Sequence, residues 1–322
     1  MSETFRVGVT LHSFTNEYCS FQWSFEDMMQ KASLLGGGVE IMGPAHHRGF
    51  PEVTDEFERT FKSSIERNGL TPTSYGSYAD PFMLPGRDLT PDELVAYTVP
   101  QLKGAAKLGF PVVRLQYFVH PVIERLLPYA EKYNLKIGYE LHTPLMIEAP
   151  LTQQLIEQVR RIASPHLGLI PDAGIFARSI PKFRIEGARR NGVAEPLLRH
   201  AVELWTAKAS LREARDQLKT MGADDRTFST LEIFWGSFGH SDPASLASIM
   251  PYIIHTHGKF FSIVNGDEPD VRYEEYVKAL IAGQYRGWMS SEYEGPDTDS
   301  FEVVKAHQAM VRRYIAKWSV SG

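Results

Sequence analysis

Apolar and polar positions follow two periods along the chain. Short runs rich in β-branched and aromatic residues recur at 6–12 (RVGVTLH), 37–43 (GGVEIMG), 70–76 (LTPTSYG), 111–118 (PVVRLQYF), 136–142 (KIGYELH), 166–172 (HLGLIPD), 252–260 (YIIHTHGKF) and 287–295 (GWMSSEYEG), and between them apolar residues return at helical spacing. That alternation predicts parallel strands joined by helical crossovers. Eight such units in 322 residues close most economically into a (β/α)8 TIM barrel of the α/β class. An open doubly wound sheet is the alternative. Its nucleotide-binding form needs a glycine-rich turn after a strand, whereas Gly36-Gly37-Gly38 precedes one and reads as a helix stop.

Local signals mark several helices. Thr90-Pro91-Asp92-Glu93 is a capping box with proline at the first helical position, opening a helix that carries Leu94, Tyr97, Leu102 and Ala105 on one stripe and stops at Gly109. Ser24 and Asp27 open another, with Phe25, Met28, Met29 and Ala32 facing inward, and the last helix aligns Val303, His307, Met310, Val311 and Tyr314. Pro128 is expected to split the segment 120–134 into two short pieces.

The spacing of the last strands is uneven: 85 residues separate Asp172 from His257 and 35 separate His257 from Glu292. The excess of about 50 residues predicts a long helical insertion between strands 6 and 7, at about 174–250 of a single domain covering 1–322. Its aromatic residues Phe228, Phe234, Trp235 and Phe238 read as a small satellite core, or else as a wall for an aromatic substrate or a face for a partner subunit.

Charge narrows the classes of partner. Thirty-four Lys and Arg against 39 Asp and Glu leave a net charge of −5, which supplies no field for a phosphate backbone, so nucleic acid is excluded as a general partner. Cys19 is the single cysteine, which removes intrachain disulfides and thiolate metal sites. The N-terminal segment lacks the features of a signal peptide, and no apolar run approaches the roughly 18–20 residues of a membrane span, so a cytoplasmic location is expected.

In barrel enzymes the chemistry sits at the C-terminal ends of the strands. Here the fifth run ends in Glu140 and His142, the sixth in Asp172, the seventh in His255, His257 and Lys259, and the eighth in Glu292 and Glu294. Spacing by two puts the members of each group on one strand face. Taken singly, each residue could be a helix cap or a satisfied core group. Together, carboxylates converging on one mouth repel each other unless a cation sits among them. The set Glu140, Asp172, His257 and Glu292, oxygen-rich with one imidazole, suits one divalent ion, Mn²⁺ above all, with Mg²⁺ or Co²⁺ as alternatives. His255 and His257 share parity, and His257 is taken as the ligand because it lies nearer the strand end. Lys259 and His255 remain candidates to contact substrate or to assist protonation of a leaving group, although Lys259 could equally pair with a ligand carboxylate. His12 and Glu40 point to the same mouth, whereas His46, His47 and Arg48, in the loop after strand two, read as solvated surface.

The order Glu, Asp, His, Glu in the settings YELH, LIPDAG, HTHGK and SSEYEG resembles the xylose isomerase-like sugar isomerase and epimerase superfamily over nearly the whole chain. With the ELH and SSEYEG settings, a histidine placed as base and the long insertion, the chain most resembles the C-glycoside deglycosidase α subunits. That resemblance implies a metal-dependent carbon–carbon lyase acting on a 3-oxo C-glycoside of a flavonoid-type phenol: His142 removes the C2 proton, the aglycone leaves from C1, and a small β subunit completes a hetero-oligomer. The acidic tail EYEGPDTDS favours a neutral sugar over a sugar phosphate. The competing readings are a metal-dependent isomerase or epimerase of a free ketose, a noncatalytic sugar-sensing subunit, and a repair nuclease on the same barrel, the last opposed by the net charge.

Overall fold

All eight apolar runs form parallel strands of one sheet: β1 (Arg6–Thr10), β2 (Gly38–Met42), β3 (Thr71–Gly76), β4 (Val112–Leu115), β5 (Lys136–Leu141), β6 (Leu167–Pro171), β7 (Thr256–Phe260) and β8 (Trp288–Tyr293). The computed structural model describes residues 5–80, 83–296 and 299–319; the first four residues, and Asp297 and Thr298 of the acidic tail, lie outside the described residues. The ladder order is β6-β5-β4-β3-β2-β1-β8-β7. Its two ends meet through the Ile254 amide, which donates to the Leu169 carbonyl at 3.1 Å, and through a parallel bridge between Asp172 and His257. A nearly closed barrel results, and the pair that closes it is also a pair of candidate ligands.

Alternation along the strands sorts the core into two layers. Val9, Val39, Ile41, Val113, Ile137, Leu167 and Leu169 are buried among the hydrophobic residues of the core. Inside, Gly38 leaves room for the Trp288 ring, since a Cβ there would lie 2.4 Å from it. Higher in the barrel the inward positions become polar, and there the site begins.

The helices include α1 (Thr15–Cys19), α2 (Phe25–Ser33), α3 (Gly43–His46), α4 (Asp55–Asn68), α5 (Pro91–Leu108), α6 (Ile123–Lys132) and α7 (Pro150–Ile162). Complete capping boxes open α2 at Ser24 and α5 at Thr90, and Gly109 closes α5 in the left-handed conformation. Pro128 does not split its segment: α6 runs through it. Proline removes the amide that would pair with the Glu124 carbonyl in mid-helix, but its ring is exposed, and the buried stripe Ile123, Leu126 and Ala130 holds the helix together.

Between β6 and β7 the chain forms α8 (Lys182–Arg190), α9 (Glu195–Thr206), α10 (Leu211–Thr220), α11 (Asp225–Leu231) and α12 (Ile233–Ser237). Phe228, Phe234 and Phe238 are buried within this connection, while Trp235 is half-buried and donates its indole N–H to the Ala209 carbonyl at 2.8 Å. Helices α13 (Tyr273–Ala282) and α14 (Ser300–Ser319) follow β7 and β8, with His307, Met310 and Val311 on the buried face of α14.

His46 and His47 are a correction to the sequence reading, because both are buried. The chain after β2 turns inward as α3, where His46 Nδ1 accepts the Met42 amide at 2.9 Å and the His47 ring packs among Phe50, Phe57 and Tyr75. Arg48 alone of the three is exposed.

Candidate metal centre

Four strand ends deliver one cluster. Glu140 comes from β5, Asp172 from the residue after β6, His257 from β7 and Glu292 from β8, and one ligand atom from each falls within 4.8 Å of all the others. His257 Nδ1 stands 2.8 Å from Glu140 Oε1, 3.3 Å from Glu292 Oε2 and 4.0 Å from Asp172 Oδ2. Asp172 Oδ2, His257 Nδ1 and Glu292 Oε2 are buried and have no hydrogen-bond partner. The opposite oxygen of Asp172 is engaged, accepting the Gly174 amide at 2.6 Å. The arrangement therefore aims unshared lone pairs at one point, and buried acceptors without donors require a cation or a proton. These residues fit a divalent metal.

A second tier fixes the ligands. Glu40 Oε1 lies 3.0 Å from His257 Nε2, and Arg114 Nη1 donates to Glu140 Oε2 at 2.5 Å. Glu40 sits at an irregularity in the β2–β3 register, between Val39 and Glu40, of the kind that re-aims a side chain. His255 lies beneath this tier. Its Nε2 is 3.1 Å from Glu40 Oε2 and 2.9 Å from Ser290 Oγ, and it is 1% exposed, so it faces the barrel interior and not the mouth, contrary to its reading as a sugar contact. Lys259 is likewise buried, with its ammonium 3.4 Å from Asp172 Oδ2, 3.0 Å from Glu294 Oε1 and 3.8 Å from Glu292 Oε2. It pairs with carboxylates of the site. His12 Nε2 completes the rim, 3.6 Å from Glu294 Oε1.

Two other groups approach ligand spacing, Glu40 with His255 and His257, and His12 with Glu292 and Glu294. In the first, Ser290 and His255 already satisfy Glu40 Oε2; in the second, the Lys259 ammonium stands against Glu294. The Glu140 cluster differs in bringing four ligand residues together, three of which present a buried atom without a hydrogen bond, with Lys259 at ion-pair distance from Asp172 and Glu292.

Electrostatics agree with this assignment. Burial disfavours the Glu140 and Glu292 carboxylates, yet Arg114 and His257 hold Glu140 well below its usual range, and Lys259 and His257 hold Glu292 down to about 2. Burial raises Asp172 to about 6, with Glu292 and Glu140 adding to the push against Lys259. Burial would lower His257, but Glu40 and Glu292 carry it well above its ordinary value. Positive charge is stabilised throughout the cluster.

His142 lies one residue past β5, half-buried. Its Nδ1 is 2.7 Å from the Thr143 carbonyl oxygen. A carbonyl can only accept, so in the neutral ring Nδ1 carries the proton and Nε2 presents a lone pair. The ring is close enough for its charge to act on Glu140 and Asp172.

Arg114 was missed by sequence reasoning, although a charged residue inside the apolar run PVVRLQYF is itself a signal that an interior partner exists. Ser290 gave no signal beyond its parity.

Known proteins locate this geometry. No family model matches the chain. In structure it is similar to L-ribulose 3-epimerase, with a TM-score of 0.59 and 12% identity over 98% of this chain and 96% of that one. It is also similar to the 3-keto-D-glucoside 4-epimerase of E. coli, with a TM-score of 0.56 and 11% identity over 96% and 99% of the two chains; both likenesses concern the barrel fold. In sequence it is 37% identical to the 3′-dehydrocarminate deglycosidase alpha subunit of a Microbacterium species, over 96% of this chain and 94% of the relative. It is 33% identical to the C-glycoside deglycosidase alpha subunit of Arthrobacter globiformis, over 95% of this chain and 89% of the relative. Identity of this order along nearly the whole length, on a barrel whose strand ends converge on one acceptor cluster, makes the chain a member of the C-glycoside deglycosidase α-subunit family.

Proposed function

We propose that this chain is the catalytic subunit of a divalent-metal-dependent lyase that cleaves the carbon–carbon bond between a 3-oxo sugar and a phenolic aglycone. The observation that carries the reading is the set Asp172 Oδ2, His257 Nδ1 and Glu292 Oε2, buried without hydrogen bonds and gathered with Glu140, at the end of the strand that continues into His142. A divalent ion held by Glu140, Asp172, His257 and Glu292, manganese first and magnesium or cobalt next, would draw electron density from the 3-oxo group and acidify the adjacent C2 proton.

The remaining work falls to the chain. His142 Nε2 takes the C2 proton; the C–H pair becomes the C1–C2 double bond, the C1–aryl pair leaves with the aglycone, and a proton returns to the aryl carbon. This route suits a C-glycoside, because a carbon–carbon bond has no acetal oxygen to protonate. Lys259 holds Asp172 and Glu292 as carboxylates, Arg114 orients Glu140, and Glu40 orients His257. His255 acts through Glu40, as a positioning residue.

The relatives' designation as alpha subunits supports a partner subunit for this chain too, which we propose is a small β-rich protein. No helix among the described residues is long and apolar enough to cross a membrane.

The test is incubation of the purified chain, with its coexpressed partner, with a 3-oxo C-glucoside of a flavone. Release of free flavone, abolished by chelation and restored by Mn²⁺, is expected. Interconversion of free ketoses with every 3-oxo C-glucoside left intact would establish the epimerase reading instead.

A further inference from the structure

A groove of about 1140 Å³ runs between the loop that joins β5 to α7 and the helices α9, α10 and α12 of the long connection. It shares no lining residue with the metal cluster, and the reaction above gives it no work. Trp205, Trp235 and Phe238 form an aromatic floor, with Leu211 and Ile233 beside them. Leu211 is 41% exposed, among the large apolar side chains that the fold leaves open to water. The volume exceeds the roughly 300–1,000 Å³ of a small-ligand cavity. Apolar surface gathered in one concavity of this size marks a place where another molecule sits.

The lining is preformed. The indole N–H of Trp235 donates to the Ala209 carbonyl at 2.8 Å, and that of Trp205 to the Phe238 carbonyl at 3.3 Å. Both rings have spent their only donor inside the chain, so what they offer outward is apolar ring surface. Behind them, the strip 239–241 is laced to the segment after β6: the Gly239 amide donates to the Gly174 carbonyl at 3.0 Å and the Ser241 amide to the Ile175 carbonyl at 2.9 Å. Ser241 Oγ accepts the Ile147 amide at 2.9 Å and donates to Glu148 at 2.7 Å, which ties down the opposite bank. A wall ordered in this way costs little further conformational entropy on association, and tryptophan held in such a wall is a residue type that dominates protein interfaces.

Charge selects the occupant. Glu148, Glu213, Glu232 and Asp242 stand around the groove against the one ammonium of Lys208, a surplus of three negative charges. His240 also lines it, but burial first and Lys208 next push its pKa below the usual value, so it adds no positive charge at neutral pH. An aromatic core inside a charged rim is the composition of a protein interface. A rim of this sign attracts a segment edged with Lys or Arg and opposes an anionic one. A second copy of this chain, at a net charge of −5, is the poorer complement.

We infer that the groove is the docking site of the partner subunit and takes from it an apolar segment edged with Lys or Arg, whose apolar side chains lie on the Trp205, Trp235 and Phe238 floor while its cations meet Glu148 and Glu232. This rests on the partner proposed above and not on the lyase chemistry, so the two are read apart.

Two positions supply the test. Gly236 lines the groove from α12, and a Cβ there would meet nothing within 4 Å, so a larger side chain occupies open groove without disturbing the fold. Glu232 is exposed on the rim. The full chain is coexpressed with the small β-rich subunit, the complex is purified through a tag on that subunit, and its dissociation on dilution is followed by sedimentation velocity for wild type, Gly236→Ala, Gly236→Phe and Glu232→Lys. Far-UV circular dichroism of the released chain checks that each variant is folded. A Kd within about twofold of wild type is expected for Gly236→Ala, a loss of about tenfold or more for Gly236→Phe, and a smaller loss for Glu232→Lys together with a shallower dependence of Kd on NaCl. Equal Kd in wild type and folded Gly236→Phe overturns the assignment, as does a wild-type chain that forms no complex with the subunit. Self-association of the chain that Gly236→Phe abolishes would make a second copy the occupant and also overturn it. Gly236-sensitive association in a complex that cleaves no 3-oxo C-glucoside retains the docking site and rejects the lyase; full cleavage by a complex indifferent to Gly236→Phe does the reverse.

Discussion

His257 Nε2 lies 3.0 Å from Glu40 Oε1, a contact that spans the barrel interior from β7 to β2. It decides which nitrogen the ring offers to the cluster. A carboxylate accepts and cannot donate, so Glu40 keeps the proton on Nε2. Without a metal Nδ1 also faces carboxylates of Glu140, Asp172 and Glu292, which favour a proton there, and it is Nδ1 that would give up that proton to ligate a divalent ion.

Glu40→Gln should therefore weaken metal binding although it alters no ligand. The expected loss is about 10–100-fold, as is usual when the carboxylate behind a ligating histidine is removed. Competition between the protein and a chromophoric chelator measures it. An affinity within twofold of wild type would mean that the tautomer is set some other way.

The two histidines of β7 should separate cleanly. His257→Ala removes the atom nearest the centre of the cluster, so the metal content after dialysis should fall towards zero; His255→Ala leaves all four ligands in place and should retain most of the ion. Metal analysis of both variants decides the matter, and the reverse result would exchange their roles.

How much of this was legible in the sequence depended on whether the information was local. Period-two spacing put Glu140, His257 and Glu292 on inward faces, and the strand count implied closure, so the cluster followed from one-dimensional pattern. Depth along a strand rested on position alone: His255 and His257 share parity, His257 was taken because it lies nearer the strand end, and the closing bridge to Asp172 is what sets it among the cluster. The loop holding His46 and His47 was misread because polarity alone does not reveal a turn folded inward, where Met42 and Tyr75 provide the hydrogen bonds. Pro128 was misread because the rule against proline weighs the lost donor and ignores the buried stripe on the opposite face of α6.

Acid should weaken the fold through histidines that take no part in catalysis. His307 stacks on Phe260 at 4.0 Å, and burial lowers it to about 3; His46 is lowered to about 3 by burial first and by the nearby charge of His12. The unfolded chain gains a proton at each near pH 6.5, while the folded chain does not until about pH 3. Their contribution is thus complete above pH 6.5 and declines as the pH falls through that window, by about 1.4 kcal/mol per pH unit for each histidine. Urea denaturation of the chelated protein between pH 7 and pH 5 should show the decline, and His307→Gln should make it shallower. An unchanged slope in that variant would remove His307 from the account.

The proton-transfer step gives the sharpest test of the proposed reaction. The Thr143 carbonyl holds the His142 Nδ1 proton at a 2.7 Å contact, so Nε2 is available as a base without any change of tautomer. Asp172 and Glu140 lie close enough to stabilise the imidazolium that forms once the proton has moved. His142→Ala should then bind metal almost as the wild type does and lose roughly 10²–10⁴ in the chemical step. A 3-oxo C-glucoside deuterated at C2 should show a primary isotope effect on aglycone release by the wild type. In His142→Ala the residual reaction should be the same elimination, slower and with bulk base as acceptor, so that added imidazole restores part of the rate. Near-normal turnover in His142→Ala would assign the base elsewhere, and an isotope effect absent from a fully active wild type would mean that another step limits the rate, which single-turnover measurement on the same deuterated substrate resolves.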